Sequence, residues 1–162
     1  MQQTLIALAL LLSPMLCFGQ VRPLTLDSLF DRLDRGGDTI FVVNFWATWC
    51  KPCVVELPYF DKLYSRYKDQ PLMVVLISLD ELQSIDKVRS YINAKGWKPP
   101  VYLLDEEKPH EWIDRVDSTW SGAIPATLFV RPRSGKRVFY EREFSWSSLE
   151  TTFRTFLEGD GK

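Results

Sequence analysis

Asn44-Phe45-Trp46-Ala47-Thr48-Trp49-Cys50-Lys51-Pro52-Cys53-Val54-Val55-Glu56-Leu57-Pro58 decides how this chain folds. It begins inside Thr39–Trp46 (TIFVVNFW), a β-branched and aromatic run that is apolar on both faces and reads as a buried strand. A short turn, Ala47-Thr48-Trp49, leads into a helix beginning near Cys50 and running to about Lys68. Two cysteines separated by two residues therefore stand at the start of a helix. There, free amide hydrogens and the positive end of the helix dipole stabilise an anion. Cys50 should lose its proton more readily than an ordinary thiol, whose pKa is about 8.5, and Lys51 adds a positive charge beside it. Pro52 suits the first helical turn, where its missing N–H removes no helix bond. Cys53 lies one turn in, behind the first sulfur and less exposed. The pattern is that of a nucleophile, Cys50, and a resolving thiol, Cys53. Cys50 attacks a partner disulfide to give a mixed disulfide, and Cys53 then attacks Cys50 to release the product.

Other chemistries compete for the same residues. A purely structural bridge over a loop of about four residues gains only roughly 2 kcal/mol in the chain-entropy account. A closed zinc site wants four ligands, and after the leader only Cys50, Cys53 and the single histidine, His110, offer N or S. A copper carrier using those three residues is a further alternative, although His110 in Glu106-Glu107-Lys108-Pro109-His110 reads as a surface histidine. A peroxide-reducing cysteine would have Thr or Ser three residues before it, where Ala47 stands.

Working outward, Leu24–Arg35 carries Leu26, Leu29, Phe30 and Leu33 on one helical face and stops at Gly36-Gly37. Leu72–Leu79 (LMVVLISL) is a second buried strand. Ser84–Lys95 is helical, with Ile85, Val88 and Ile92 on one face and Gly96 as the stop. Val101–Leu104 is a short strand and Pro109–Val116 a short helix. Ala126–Val130 and Lys136–Glu141 form a hairpin around Arg131-Pro132-Arg133-Ser134-Gly135. Its basic cluster, Arg131, Arg133, Lys136 and Arg137, reads as a solvated hairpin. Ser147-Ser148-Leu149-Glu150 is a capping box opening a last helix whose apolar face is Leu149, Phe153, Phe156 and Leu157. The alternation predicts an α/β fold with parallel strands and helices on both faces, and the closing hairpin makes the sheet mixed.

Composition narrows the function. The 162 residues are 46% hydrophobic and 14% aromatic, enough to build a core and unlike a disordered chain. Twenty basic against 21 acidic residues leave a net charge of −1, which argues against a phosphate-neutralising nucleic-acid surface. Three cysteines are too few for a disulfide scaffold. Met1–Gly19 has no charged side chain, and its apolar run Leu5–Leu12 is short of the roughly 20 residues that span a membrane. The segment fits a secretory signal cut at Gly19/Gln20, without the usual basic residue near Met1. Residues 20–162 are then a single domain holding only Cys50 and Cys53, exported to a compartment where thiols become disulfides. A lipoprotein cut before Cys17 is disfavoured by Met15-Leu16.

The stretch Asn44–Pro58 resembles the active-site region of the thioredoxin superfamily, and within it the exported TlpA/ResA-like thiol-disulfide oxidoreductases. The likeness runs from about Asp38 to Leu157, and Gly122-Ala123-Ile124-Pro125-Ala126-Thr127 matches a second family motif. It implies a cis Pro125 facing the disulfide, with the Ile124 backbone offering hydrogen bonds to an extended partner peptide. Trp49, with Lys51 and Pro52, would form the rest of the partner surface. Glu56 matches a glutamate of the ResA-like group and is expected to be a partly buried acid that exchanges a proton with Cys53. Asn44 stands where thioredoxins carry an acid and cannot ionise. Pro58 falls where the family helix kinks. Ser84–Leu104 resembles the helix-strand insertion of TlpA-like proteins. The resemblance also implies a reductant of protein disulfides, acting in cytochrome c maturation, fed by a membrane electron donor, monomeric, and needing no cofactor beyond its cysteine pair.

Overall fold

The computed structural model describes residues 21–159; the expected leader, with Cys17, lies outside them. In chain order the elements are β1 (Arg22–Leu24), α1 (Leu26–Asp34), β2 (Ile40–Trp46), α2 (Lys51–Arg66), β3 (Leu72–Ser78) and α3 (Ile85–Lys95). They continue with β4 (Val101–Leu104), α4 (Pro109–Val116), β5 (Ala126–Arg131), β6 (Lys136–Tyr140) and α5 (Trp146–Glu158). One mixed sheet runs β1-β4-β3-β2-β5-β6. β1, β4, β3 and β2 are parallel to one another, whereas β5 is antiparallel to both β2 and β6. The expected α/β architecture and its insertion are present: α3 and β4 place one more strand beside β3.

Every residue of β2 is buried, because side chains alternate across the sheet and both faces are covered. Ile40, Val42 and Trp46 join the core made with Leu57 and Phe60 of α2, Val88 of α3 and Phe153 of α5. Phe41, Val43 and Phe45 join the opposite core, made with Leu29 of α1 and Trp112 of α4. Helices thus cover both faces. Trp46 meets Tyr91 and Trp97 with ring centroids 5.9 and 6.3 Å apart, tying the insertion to the central strand.

Three local readings need correction. Arg22–Leu24 is an edge strand paired in parallel with Tyr102–Leu104, so the first helix starts only at Leu26, capped by Thr25, whose hydroxyl accepts from Ser28 N–H. Pro23 is tolerated because an edge strand can do without one N–H. The last helix opens at Ser145 rather than Ser147: Ser145 Oγ accepts from Ser148 N–H, and Ser148 Oγ accepts from Ser145 N–H. The basic hairpin is not simply solvated. Lys136 donates to the Phe156 carbonyl at the C-terminal end of α5, Arg137 to that of Val116, and Arg133 pairs with Asp38.

Candidate active site

The C-terminal end of β2 delivers the chain into the turn before α2. Asp80, only 5% exposed and two residues past the end of β3, holds that turn. Its carboxylate accepts from Thr48 N–H at 2.8 Å, Thr48 Oγ at 2.5 Å and Ser78 Oγ at 2.8 Å. Three donors satisfy the buried charge and fix the backbone where the helix must begin. α2 then runs unbroken through Pro58 to Arg66.

Cys50 is the N-cap residue of α2, and its sulfur accepts from Cys53 N–H at 3.3 Å. A sulfur therefore takes the place that a serine or aspartate oxygen usually fills, facing the unpaired amides of the first turn. Cys50 and Cys53 form a disulfide with Cα atoms 5.3 Å apart. Cys50 retains 5% of its surface and Cys53 none, so of the pair only Cys50 reaches the outside. Lys51 and Pro52 are exposed beside it, and Trp49 is 67% exposed.

Opposite the disulfide, the Ile124-Pro125 peptide bond is cis, as the family resemblance implies. The Ile124 carbonyl lies 3.7 Å from Cys50 Sγ. In the disulfide that sulfur carries no proton, so this is a contact; the thiol formed on reduction has an acceptor already in place. The loop before Ile124 is fixed by groups the sequence did not single out. The Trp120 indole donates to the Ala123 carbonyl at 2.8 Å, and Glu141 accepts from Ser121 N–H at 2.9 Å. Those bonds to Ser121 hold the Glu141 carboxyl below its usual range. Gly122 adopts φ +93°, and a Cβ there would meet Ile113 Cδ1 at 3.0 Å.

Glu56, one turn beyond Cys53 on α2, is not partly but fully buried. It sits over a polar patch of the sheet face that carries α2. Asn44 of β2 and Thr127 of β5 are register partners there, and both are fully buried. Asn44 Nδ2 donates to Glu56 Oε1 at 2.8 Å and to Thr127 Oγ1 at 3.1 Å. The Phe144 N–H donates to Glu56 Oε2 at 2.7 Å. Burial raises the Glu56 pKa from 4.5 to about 7, and the bonds from Phe144 and Asn44 pull the other way without cancelling it. Asn44, which cannot ionise, is thus the side-chain donor to the buried acid.

His110 does not join the cysteines as a ligand set. It is exposed on α4, and no three His, Cys, Asp or Glu side chains among the described residues converge as a metal site.

The AhpC/TSA family model matches residues 23–136 of this chain. A thiol-disulfide oxidoreductase ResA of Bacillus thuringiensis is 40% identical over 106 residues, 65% of this chain and 55% of that protein. ResA of Oceanobacillus iheyensis is 35% identical over 92 residues, 56% of this chain and 43% of that protein. The chain thus spans about half the length of these relatives. Among solved structures, a thioredoxin-family thiol:disulfide interchange protein of Chlorobium tepidum TLS superposes with a TM-score of 0.61 at 21% identity, covering 74% of this chain and 81% of that one. A thioredoxin-related protein of Neisseria meningitidis serogroup B gives 0.60 at 27% identity, over 69% and 80%. With its two motifs facing each other across the end of a mixed sheet, the chain has the thioredoxin fold and belongs to the AhpC/TSA family.

Proposed function

We propose that this protein is an exported thiol-disulfide oxidoreductase that reduces disulfides in partner proteins. One observation carries the reading: a cysteine pair at the N-cap of α2 whose outer sulfur faces the Ile124 carbonyl. In the reduced protein the Cys53 amide and the helix N-terminus stabilise a Cys50 thiolate. This thiolate attacks the partner S–S bond, forming a mixed disulfide and releasing one partner thiolate. Cys53 passes its proton to the Glu56 carboxylate and attacks Cys50 Sγ, expelling the second partner thiolate. Two electrons leave the protein with the Cys50–Cys53 bond formed, and a dithiol donor must restore them. A proton acceptor with a pKa about 7 is matched to that task near neutral pH. Ile124 and Pro125 would align the partner backbone, and Trp49, Lys51 and Pro52 would border it.

The relatives' name, thiol-disulfide oxidoreductase ResA, supports the class, and the reductant direction is part of the proposal. Export rests on the Leu5–Leu12 run, which makes residues 20–162 the mature domain. A monomer fed by a membrane donor and serving cytochrome c maturation completes the proposal. Peroxide reduction is disfavoured by the site itself: Ala47 has no hydroxyl, and the Thr48 hydroxyl is held by Asp80. The test is equilibration of the full chain with glutathione buffers. Related dithiols span roughly −270 to −120 mV, a gap of about 7 kcal/mol. A potential near the reducing end, with insulin disulfides reduced, supports the reading. A potential near the oxidising end, or tight copper binding without insulin reduction, contradicts it.

A further inference from the structure

A cleft of about 510 Å³ is lined by Trp49, next to Cys50 in the chain, and by Ile124, whose carbonyl lies 3.7 Å from Cys50 Sγ. On the sheet side it is bounded by Leu104, and α4 contributes Trp112 and Ile113. Among the described residues the exposed large apolar side chains are Trp49, Val55 and Leu82, and two of these, Trp49 and Leu82, line this cleft. Exposed apolar surface gathered around a concavity marks a binding site. Trp112, 5% exposed, also carries an indole N–H with no acceptor among the described residues.

The charge along the cleft has one sign. Glu81, Asp105 and Glu107 line it, and no lysine, arginine or histidine does. The chain as a whole carries a net charge of only −1, so this is a local concentration. Two other acids of the lining are committed elsewhere: Asp80 to Thr48 and Ser78, and Glu106 to the Leu26 N–H at the start of α1. Asp105 and Glu107 have no side-chain hydrogen bond or ion pair with a described residue. The carboxylates are strung along the cleft and do not converge as a metal site.

We propose that this cleft is the docking groove for the partner polypeptide, seating a segment that presents an apolar side chain and a lysine or arginine next to the cysteine exchanged at Cys50. The proposal rests on the thiol-exchange reading and names its substrate class. The apolar side chain enters between Trp49 and Leu82, and the cation meets Asp105 and Glu107. Two exposed ion pairs are together worth about tenfold in affinity.

The test compares two peptide disulfides of equal length with the same apolar residue, one carrying two lysines and the other two glutamates around the cysteine. The neutral bis(2-hydroxyethyl) disulfide serves as a reference for chemistry without docking. With the reduced full chain, kcat/KM should favour the lysine peptide by about tenfold or more. The preference should collapse in Asp105→Asn/Glu107→Gln and in 1 M salt, where the screening length is roughly 3 Å. The reference rate should stay the same in that variant. A second pair, Asp69→Asn/Glu158→Gln, removes equal charge at the far ends of α2 and α5 and should keep the preference. Equal rates for the two peptides, a preference that survives the cleft variant, or an equal loss in the remote variant would overturn the groove while leaving thiol exchange standing. Failure to reduce the reference disulfide would strike the exchange reading instead. The groove is then judged by tryptophan fluorescence with serine-for-cysteine peptides: about tenfold tighter binding of the lysine peptide supports it, and equal binding refutes it.

Discussion

Replacing Glu56 with glutamine should make the oxidised protein more stable at high pH. In the folded protein the carboxyl titrates about 7 instead of 4.5. Between those values the folded state keeps a proton that the unfolded chain releases, so stability falls as pH rises through that window. Below 4.5 and above 7 this group adds no further slope. At 1.36 kcal/mol per pH unit, the penalty above pH 7 is about 3 kcal/mol. Glutamine has no charge to desolvate, and its hydrogen bonds can be met. Its carbonyl can accept from the Phe144 N–H, and, with the Asn44 amide turned over, its amide can donate to Asn44 Oδ1, which is buried and without a partner among the described residues. Urea unfolding of both oxidised proteins at half-unit steps from pH 4 to pH 8 measures the difference. The two should coincide near pH 4, and the variant should lead by about 3 kcal/mol at pH 8. The same variant should slow the resolving step, since glutamine cannot take the Cys53 proton. A stability difference that does not change with pH, or a variant weaker than the parent at pH 8, would refute the assignment of a buried, high-pKa acid.

Asn44→Leu removes a donor that lowers the Glu56 pKa; carbon-detected NMR titration should place that carboxyl above its parent value, and an unchanged titration would contradict the network. Asp80→Ala leaves Thr48 and Ser78 without their acceptor and should cost about 1–3 kcal/mol in urea unfolding. Phe45→Ala empties a site in β2 packed 4.9 Å from the Trp120 ring and should cost about 3–5 kcal/mol. Ser145→Ala breaks the capping box of α5, at a cost of about 1 kcal/mol seen as a lower Tm.

What the sequence made legible was whatever is written in neighbouring residues. The buried strand before Cys50, the helix after it and the stop at Gly96 all follow from local patterns. β1 did not, because its three residues take strand form by pairing with β4 eighty positions away, and periodicity cannot see that. The cap of α5 slipped by two residues because Ser145, Ser147 and Ser148 offer equivalent hydroxyls, and backbone geometry chooses among them. At the site, the Cys-x-x-Cys pair and Pro125 were visible as motifs. The Phe144 N–H that fixes Glu56 was not: a backbone donor 88 residues away has no side-chain signature. Asn44 did have one. A lone amide in IFVVNFW must find a partner when buried, and the register of β2 with β5 supplies Thr127 while α2 supplies Glu56.

The measurement that goes most directly to the heart of this account is capture of the mixed disulfide. Cys53→Ser mixed with a disulfide-bonded peptide should accumulate a covalent adduct whose mass and peptide map place it on Cys50, and Cys50→Ser should give none. An adduct on residue 53 alone, or no adduct with either variant, would contradict a nucleophile at the tip of α2.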